Sequence, residues 1–192
     1  MKKFFTLRNI ILLAGAFILV LFFFLSFAGK CVAYVDGYKF SYNLIVWGSN
    51  SLTMEGHKVP VSDLGIGVDH FQPSALLLVG FILMLLAAIG AVLVALLVKK
   101  PFAKWIIVAC AGVALIGAIF QFLAKDSFAR AYIGTLAKGA GMTKEEIREA
   151  IAEFKGEMTK AGAKFVLNVL AGVFGIIGAG AIGVSQFLPE KK

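Results

Sequence analysis

Four long apolar stretches set the pattern of the chain: Asn9 to Gly29, Pro73 to Val98, Phe102 to Ala124 and Phe165 to Leu188. Roughly 20 apolar residues rising about 1.5 Å each cover the ~30 Å hydrocarbon core of a bilayer. Each stretch is therefore predicted to be a transmembrane helix. None carries a charge in its middle, and Lys104 stands near the start of the third. Between the helices lie two longer polar segments, 30–72 and 125–164, and one tight Lys99-Lys100-Pro101 turn.

The first long loop opens with "AYVDGYKFSYN", residues 33–43, in which aromatic and polar positions alternate after an Asp-Gly pair. Asp36-Gly37 is a strong hairpin signal, because a type I′ turn needs positive φ at both central positions. Centring the turn there sets Val35 opposite Tyr38, Tyr34 opposite Lys39, Ala33 opposite Phe40, Val32 opposite Ser41 and Cys31 opposite Tyr42. One face is then apolar and the other wettable. A bare two-stranded hairpin is marginal in water, so the face bearing Val35, Ala33, Tyr38, Phe40 and Tyr42 requires a cover. "LIVW" can continue the second strand to Trp47, an aromatic suited to a bilayer interface, before "GSNS" turns the chain. Residues 53–72 alternate poorly and read as loop with at most one more short strand at Lys58 to Val61, for a sheet of two or three strands.

The second long loop offers the cover. Thr143 and Glu146 form a capping-box pair, followed by Ile147, Ile151, Phe154 and Met158 at the spacing of one helical stripe, with Lys, Glu and Arg on the other side. The helix is predicted from Thr143 to Lys160. A shorter one, from about Ser127 to Lys138, is capped by Asp126 or Ser127 and stopped at Gly139 and Gly141. We expect the Ile147, Ile151, Phe154 and Met158 stripe to pack on the apolar hairpin face, each large side chain contributing roughly 1.5–3 kcal/mol on full burial. The competing arrangement lays this amphipathic helix flat on the outer leaflet.

In the fourth apolar stretch Ala171, Gly175, Ala179 and Gly183 recur every fourth residue, a small-residue face that lets another helix approach closely in lipid. Ala87, Ala91 and Ala95 do the same in the second and Ala114 and Ala118 in the third. Such faces serve either packing within one bundle or an oligomer interface. Polar residues at membrane depth are Ser26, Cys110, Gln121, Asn168, Ser185 and Gln186. No acid, arginine or histidine lies mid-membrane, which disfavours a proton relay or coupled ion path, and no pair of Gly/Pro-broken helices suggests a transporter.

Composition agrees with the pattern: 60% hydrophobic and only 16% charged residues in 192, with a mean hydropathy of +0.91, lie outside the soluble class. Charge supplies an orientation. Lys2, Lys3, Arg8, Lys99, Lys100, Lys104, Lys191 and Lys192 share one side with only Glu190 against them, while the two long loops are nearly balanced. By the positive-inside rule both termini are cytoplasmic and both long loops extracytoplasmic, in a multi-pass protein of the cell membrane. The pI of about 9.6 is then a topological signal with attraction to anionic lipid, and no nucleic acid is needed to explain it. A signal peptide is the alternative for the first stretch, given its basic start and Ser26-Phe27-Ala28, but the apolar run is longer than a usual signal core. A lipoprotein signal ending at Cys31 is disfavoured by Lys30. Cys31 and Cys110 lie at different depths, too far apart for a bridge, and there is no Asn-x-Ser/Thr acceptor. The lysine-rich, disulfide-free, short-looped character leads us to expect a bacterial protein.

Catalytic residue types gather only in the first loop, as Glu55, His57, Asp63, Asp69 and His70. They include no HExxH, no Gly-x-Ser-x-Gly and no phosphate-cradling glycine loop, and no pair has the helical spacing of zinc ligands. We therefore expect no enzyme, no cofactor and no metal centre.

Four helices with cytoplasmic ends, a larger first outer loop opening in strands, Trp47-Gly48 in "IVWG" and a second outer loop leading into the last helix together resemble the claudin-like tetraspan architecture. That family has a Gly-Leu-Trp element followed by two bridged cysteines, whereas here no cysteine pair follows Trp47. The resemblance implies a four-helix bundle topped by a small sheet, with lateral association. The expected fold is thus a mainly α membrane protein: one membrane domain, a four-helix bundle with a small extracytoplasmic β-hairpin or sheet and an amphipathic helix as cap. Its expected role is non-enzymatic, in contact with the lipid bilayer and with a membrane-protein partner or further copies of itself. The alternative is an oligomeric permeation protein for ions or small molecules.

Overall fold

The computed structural model describes residues 6–28, 31–35, 38–42, 48, 50–54, 57–65, 67–98, 101–160 and 165–188. Six α-helices run through them: α1 (Leu7–Ala28), α2 (Ala75–Leu97), α3 (Ala103–Gln121), α4 (Ala124–Ala140), α5 (Lys144–Lys160) and α6 (Val166–Ser185). Of these, α1, α2, α3 and α6 are long and apolar enough to cross a membrane. The chain is a multi-pass membrane protein with a tetraspan layout. Its residues gather in two compact units, one of Met1–Leu25, Val79–Phe122 and Val169–Lys192, the other of Ser26–Leu78 and Leu123–Asn168.

In the first unit small residues take many of the inner positions. Ala87, Ala88, Ala91, Ala114, Ala118, Ala171 and Ala179 are buried beside the larger Leu19, Phe81 and Met84, while Phe17, Leu86, Leu93, Ile116, Ile119 and Ile177 face outward. Lipid tails are as apolar as leucine, so helices gain by close contact at small residues rather than by hiding large ones. Gly175 shows the result: a Cβ there would lie 2.7 Å from the Ala118 Cβ and 3.0 Å from the Met84 Sδ. The small face of α6 is thus used within the chain, against α3 and α2. Gly183 continues it more loosely, 3.5 Å from the Ala111 Cβ, and Ala95 of the α2 stripe is exposed.

Two tighter crossings lie outside the predicted stripes. At Gly15 of α1 a Cβ would sit 2.6 Å from the Gly178 carbonyl oxygen, and at Gly178 one would sit 2.9 Å from that of Gly15. Gly80 of α2 and Gly117 of α3 meet in the same way, at 2.8 and 2.5 Å. Phe22 stacks on Phe174 with ring centroids 5.6 Å apart, a second tie between α1 and α6.

The second unit holds a four-stranded antiparallel sheet in the order β1-β2-β3-β4, formed by β1 (Cys31–Val35), β2 (Tyr38–Tyr42), β3 (Ser51–Met54) and β4 (His57–Pro60). Between β1 and β2 the partners are Cys31 and Tyr42, Val32 and Ser41, Ala33 and Phe40, Tyr34 and Lys39, Val35 and Tyr38. The Asp36-Gly37 turn, and "LIVW" with Trp47, lie outside the described residues. The sheet is larger than the two or three strands expected. Residues 51–54, where a turn ending at Ser51 and a loop from Thr53 are expected, pair with β4 along their length, and Thr53 and Met54 pair with β2 as well, Thr53 lying opposite Ser41 on one side and Lys58 on the other. Val61, completely buried, starts a 3-10 turn (Val61–Leu64), and its N–H donates to the Asn50 carbonyl at 2.9 Å.

The helical part of this unit is built on stacked rings. Tyr132 of α4 lies between Phe71 (5.4 Å, 8°) and Phe154 of α5 (4.8 Å, 11°), and Phe128 touches Phe154 and Phe165 at 5.9 and 6.0 Å. Phe71, Phe128, Phe154, Met158 and Phe165 are all buried. The α5 stripe therefore meets the aromatic face of α4, a partner that the hairpin assignment did not foresee; Ile147 and Ile151 are half-buried. The α5 backbone also runs beside β1, while the side chains of Val35, Tyr38, Phe40 and Tyr42 lie outside the described residues. The capping box is formed: the Thr143 N–H donates to Glu146 Oε2 at 2.7 Å and the Glu146 N–H to Thr143 Oγ1 at 3.4 Å.

Adding a methyl group where backbones touch forces helices apart at about 1–3 kcal/mol. Gly117→Ala should therefore lower the thermal unfolding temperature in detergent, whereas Gly112→Ala on the same helix, where a Cβ meets nothing within 4 Å, should leave it unchanged or raised. Equal effects of the two would refute the crossing. Truncating Phe154, 7% exposed, to alanine should cost about 3–5 kcal/mol, read as faster limited proteolysis between α4 and α5.

Candidate functional site: a charged cavity at the head of α2

The chain leading into α2 passes the length of α4, and between them is an open cavity of about 360 Å³. One wall is Gln72 to Leu76, the first turn of α2 and its approach; the other is α4, from Asp126 to Lys138. Pro73 and the fold of the preceding loop fix this approach. Gly48 has a φ of +75°, and a Cβ there would lie 2.7 Å from the Phe71 carbonyl oxygen, so glycine is needed to bring the loop past Phe71.

Helical periodicity determines what α4 presents. Asp126, Arg130, Gly134 and Lys138 follow at every fourth residue, with Ser127, Ala131 and Thr135 one position later, and all seven line the cavity. α4 begins at Ala124, not at Ser127, with Leu123 at the N-cap position and no side-chain cap. Asp126 is consequently inside the first turn rather than capping it, a favourable place for an acid at the positive helix end. Its other task is to join elements: Oδ2 accepts from Arg130 Nε at 2.6 Å, and Oδ1 accepts from Lys155 Nζ of α5. Lys155 first, and Arg130 second, hold the Asp126 carboxyl below its ordinary value of 3.8. Gly141, with φ +65°, ends the helix, its N–H donating to the Ala137 carbonyl.

Three hydroxyl residues at the cavity wall are buried, whereas Arg130 and Lys138 are exposed. Ser74, Ser127 and Thr135 are 5, 5 and 2% exposed. Thr135 Oγ1 donates to the Ala131 carbonyl at 2.8 Å; the hydroxyls of Ser74 and Ser127 have no hydrogen-bond partner among the described residues. Gly134 leaves open space, since a Cβ there would meet nothing within 4 Å.

A second polar cluster closes one end of the first unit. Arg8 Nη2 donates to Gln186 Oε1, Gln186 Nε2 to Ser185 Oγ at 2.8 Å, and Ser185 Oγ to the Ile182 carbonyl at 2.6 Å. Lys104 Nζ lies 4.3 Å from the centroid of the Phe187 ring. The starts of α1 and α3 thus meet the end of α6, where cations are favoured by the helix dipole.

His57, Asp63, Asp69 and His70 are exposed, and Glu55 lies outside the described residues. Among the described residues no three His, Cys, Asp or Glu side chains gather as a metal site would require. The spacing of Asp126, Arg130 and Lys138 was visible in the sequence, but with Asp126 expected as a helix cap nothing local to one helix showed that the approach to α2 passes beside them. Comparison with family models, curated proteins and solved structures gave no match. The likeness to claudins stays at the level of the tetraspan layout.

The stability contributed by a carboxylate with a depressed folded pKa is present above its unfolded value and lost as pH falls through the folded one. Asp126→Asn should thus lower stability at neutral pH by less than about 1 kcal/mol, as for partly exposed pairs. That deficit should shrink as pH falls from 3.8; a pH-independent difference in chemical-denaturation scans would contradict the assignment.

Proposed function

We propose that this chain is a non-enzymatic integral membrane protein, with both termini cytoplasmic, that makes protein contacts through its extracytoplasmic unit as an accessory subunit, scaffold or assembly factor. The observation that carries the reading is the face of α5 turned away from its packing. Glu145, Glu149, Glu153 and Glu157 recur every fourth residue, all exposed, while Phe154 and Met158 hold the opposite side in the protein. A helix lying on a leaflet would offer those apolar residues to lipid and a basic face to the headgroups; here the apolar residues are occupied and the outer stripe is acidic. Such a rigidly seated acidic stripe suits a basic protein surface, with charge setting encounter rate and register.

The transmembrane part supports the same reading. Its closest faces are turned to one another at Gly15 with Gly178, Gly80 with Gly117 and Gly175 with Ala118. The open groove between α1 and α2, about 490 Å³, is lined by residues such as Leu13, Phe17, Val20 and Leu93, an unsuitable lining for an ion path.

Extraction in mild detergent followed by size-exclusion chromatography and mass spectrometry should recover the chain with a stoichiometric partner. Glu149→Lys, Glu153→Lys and Glu157→Lys together should reduce that recovery at least about tenfold, the effect of ~1.4 kcal/mol, without changing thermal stability. A partner-free chain, or ion flux across proteoliposomes made from it, would overturn the proposal.

A further inference from the structure

We propose that the cavity between the head of α2 and α4 binds the phosphate of a phosphate ester. Five features of its two walls point to this chemistry. Arg130 and Lys138 lie two helical turns apart on the cavity face of α4. Arg130 uses only Nε for Asp126, so the fork of its guanidinium is open to a second acceptor. Asp126 does line the cavity and would repel an anion by itself, but both of its oxygens are held by cations, Arg130 and Lys155. The first N–H groups of α2, at Ala75 and Leu76, have no carbonyl within the helix to receive them, and a helix start favours negative charge.

Decisive among these features are the two hydroxyls. Ser74 and Ser127, each 5% exposed, line the cavity from opposite walls and have no partner among the described residues. A buried hydroxyl left without a partner is costly, and a phosphate oxygen accepts from both hydroxyls and main-chain N–H groups at once. Carbon is present too: Pro73, Ala75, Leu76 and Ala131 complete the lining, so the ester's organic part has an apolar wall to lie on. The cavity stands where an apolar span begins, the depth at which headgroup phosphates occur. Lipid headgroups and free phosphate esters share the recognised chemistry.

Gly134 makes the test clean. Its place opens on empty space, so Gly134→Leu fills the cavity while favouring the helix. Purified full-length chain, wild type, Gly134→Leu and Lys138→Gln, would be titrated by thermal shift in a neutral detergent with three probes: dihexanoyl phosphatidylglycerol, glycerol 3-phosphate and inorganic phosphate. Wild type should be stabilised by the lipid or by glycerol 3-phosphate, and both variants should need at least about tenfold more of it while keeping the wild-type unfolding temperature or a higher one without probe. Response to the lipid alone assigns a headgroup; response to glycerol 3-phosphate as well assigns a soluble ester. No response by wild type to any probe, response to inorganic phosphate only, or equal response of Gly134→Leu and wild type would overturn the proposal.

Discussion

The stack of Phe71, Tyr132 and Phe154 is the contact on which the second unit depends. Three nearly parallel rings join the loop before α2, the middle of α4 and the far half of α5, elements remote in sequence that share no backbone hydrogen-bond ladder. Each pair contributes roughly 0.5–1.5 kcal/mol beyond its buried area. More important is what the stack fixes. With Tyr132 clamped, the rotation of α4 about its axis is set, and with it the side to which Asp126, Arg130 and Lys138 project. With Phe154 clamped, α5 is set as well, so that Lys155 reaches Asp126 and the glutamates of the opposite stripe face outward.

A different constraint governs the first unit. There the environment gives no reward for hiding leucine and phenylalanine, so contact distance decides which faces meet. Glycine wins at the crossings because only a missing Cβ lets a carbonyl oxygen come within 3 Å of where the side chain would begin, as at Gly15 with Gly178 and Gly80 with Gly117. The two units therefore differ in what sets their closest contacts: stacked rings in the second, and missing side chains at the helix crossings of the first.

This division explains what was legible in the sequence. Apolar length revealed the spans and the four-residue spacing revealed Ala171, Gly175 and Ala179, because both signals are local. The capping box of Thr143 and Glu146 was legible for the same reason. Gly15 and Gly178 were not, since a single glycine in an apolar helix looks like any other until a second helix is laid across it. The Phe154 stripe was legible as buried, but one of its partners was not: besides running beside β1, α5 meets the rings of Phe128 and Tyr132, which sit in a helix where alanines and charges balance and no apolar stripe stands out. The strand Ser51–Met54 was missed because pairing on both edges can stabilise a segment whose own alternation is weak.

Gly134 connects these arguments to the cavity. A glycine inside a helix costs about 1 kcal/mol relative to alanine, and at Gly117 that cost is offset by close packing against α2. Gly134 has no such compensation, because nothing stands within 4 Å of the place its Cβ would take. Four residues to either side are Arg130 and Lys138, and one turn of the neighbouring stripe carries the buried hydroxyl of Ser127. Buried hydroxyls without a partner break a rule of ordinary packing, and violations of local consistency concentrate where a structure serves something other than its own stability; Gly112 has the same open space, but at Gly134 it adjoins those hydroxyls and two cations. A ligand lying across Gly134 would supply contacts that the open space lacks and satisfy both serines, so the hydroxyls and the cations beside them would share one partner.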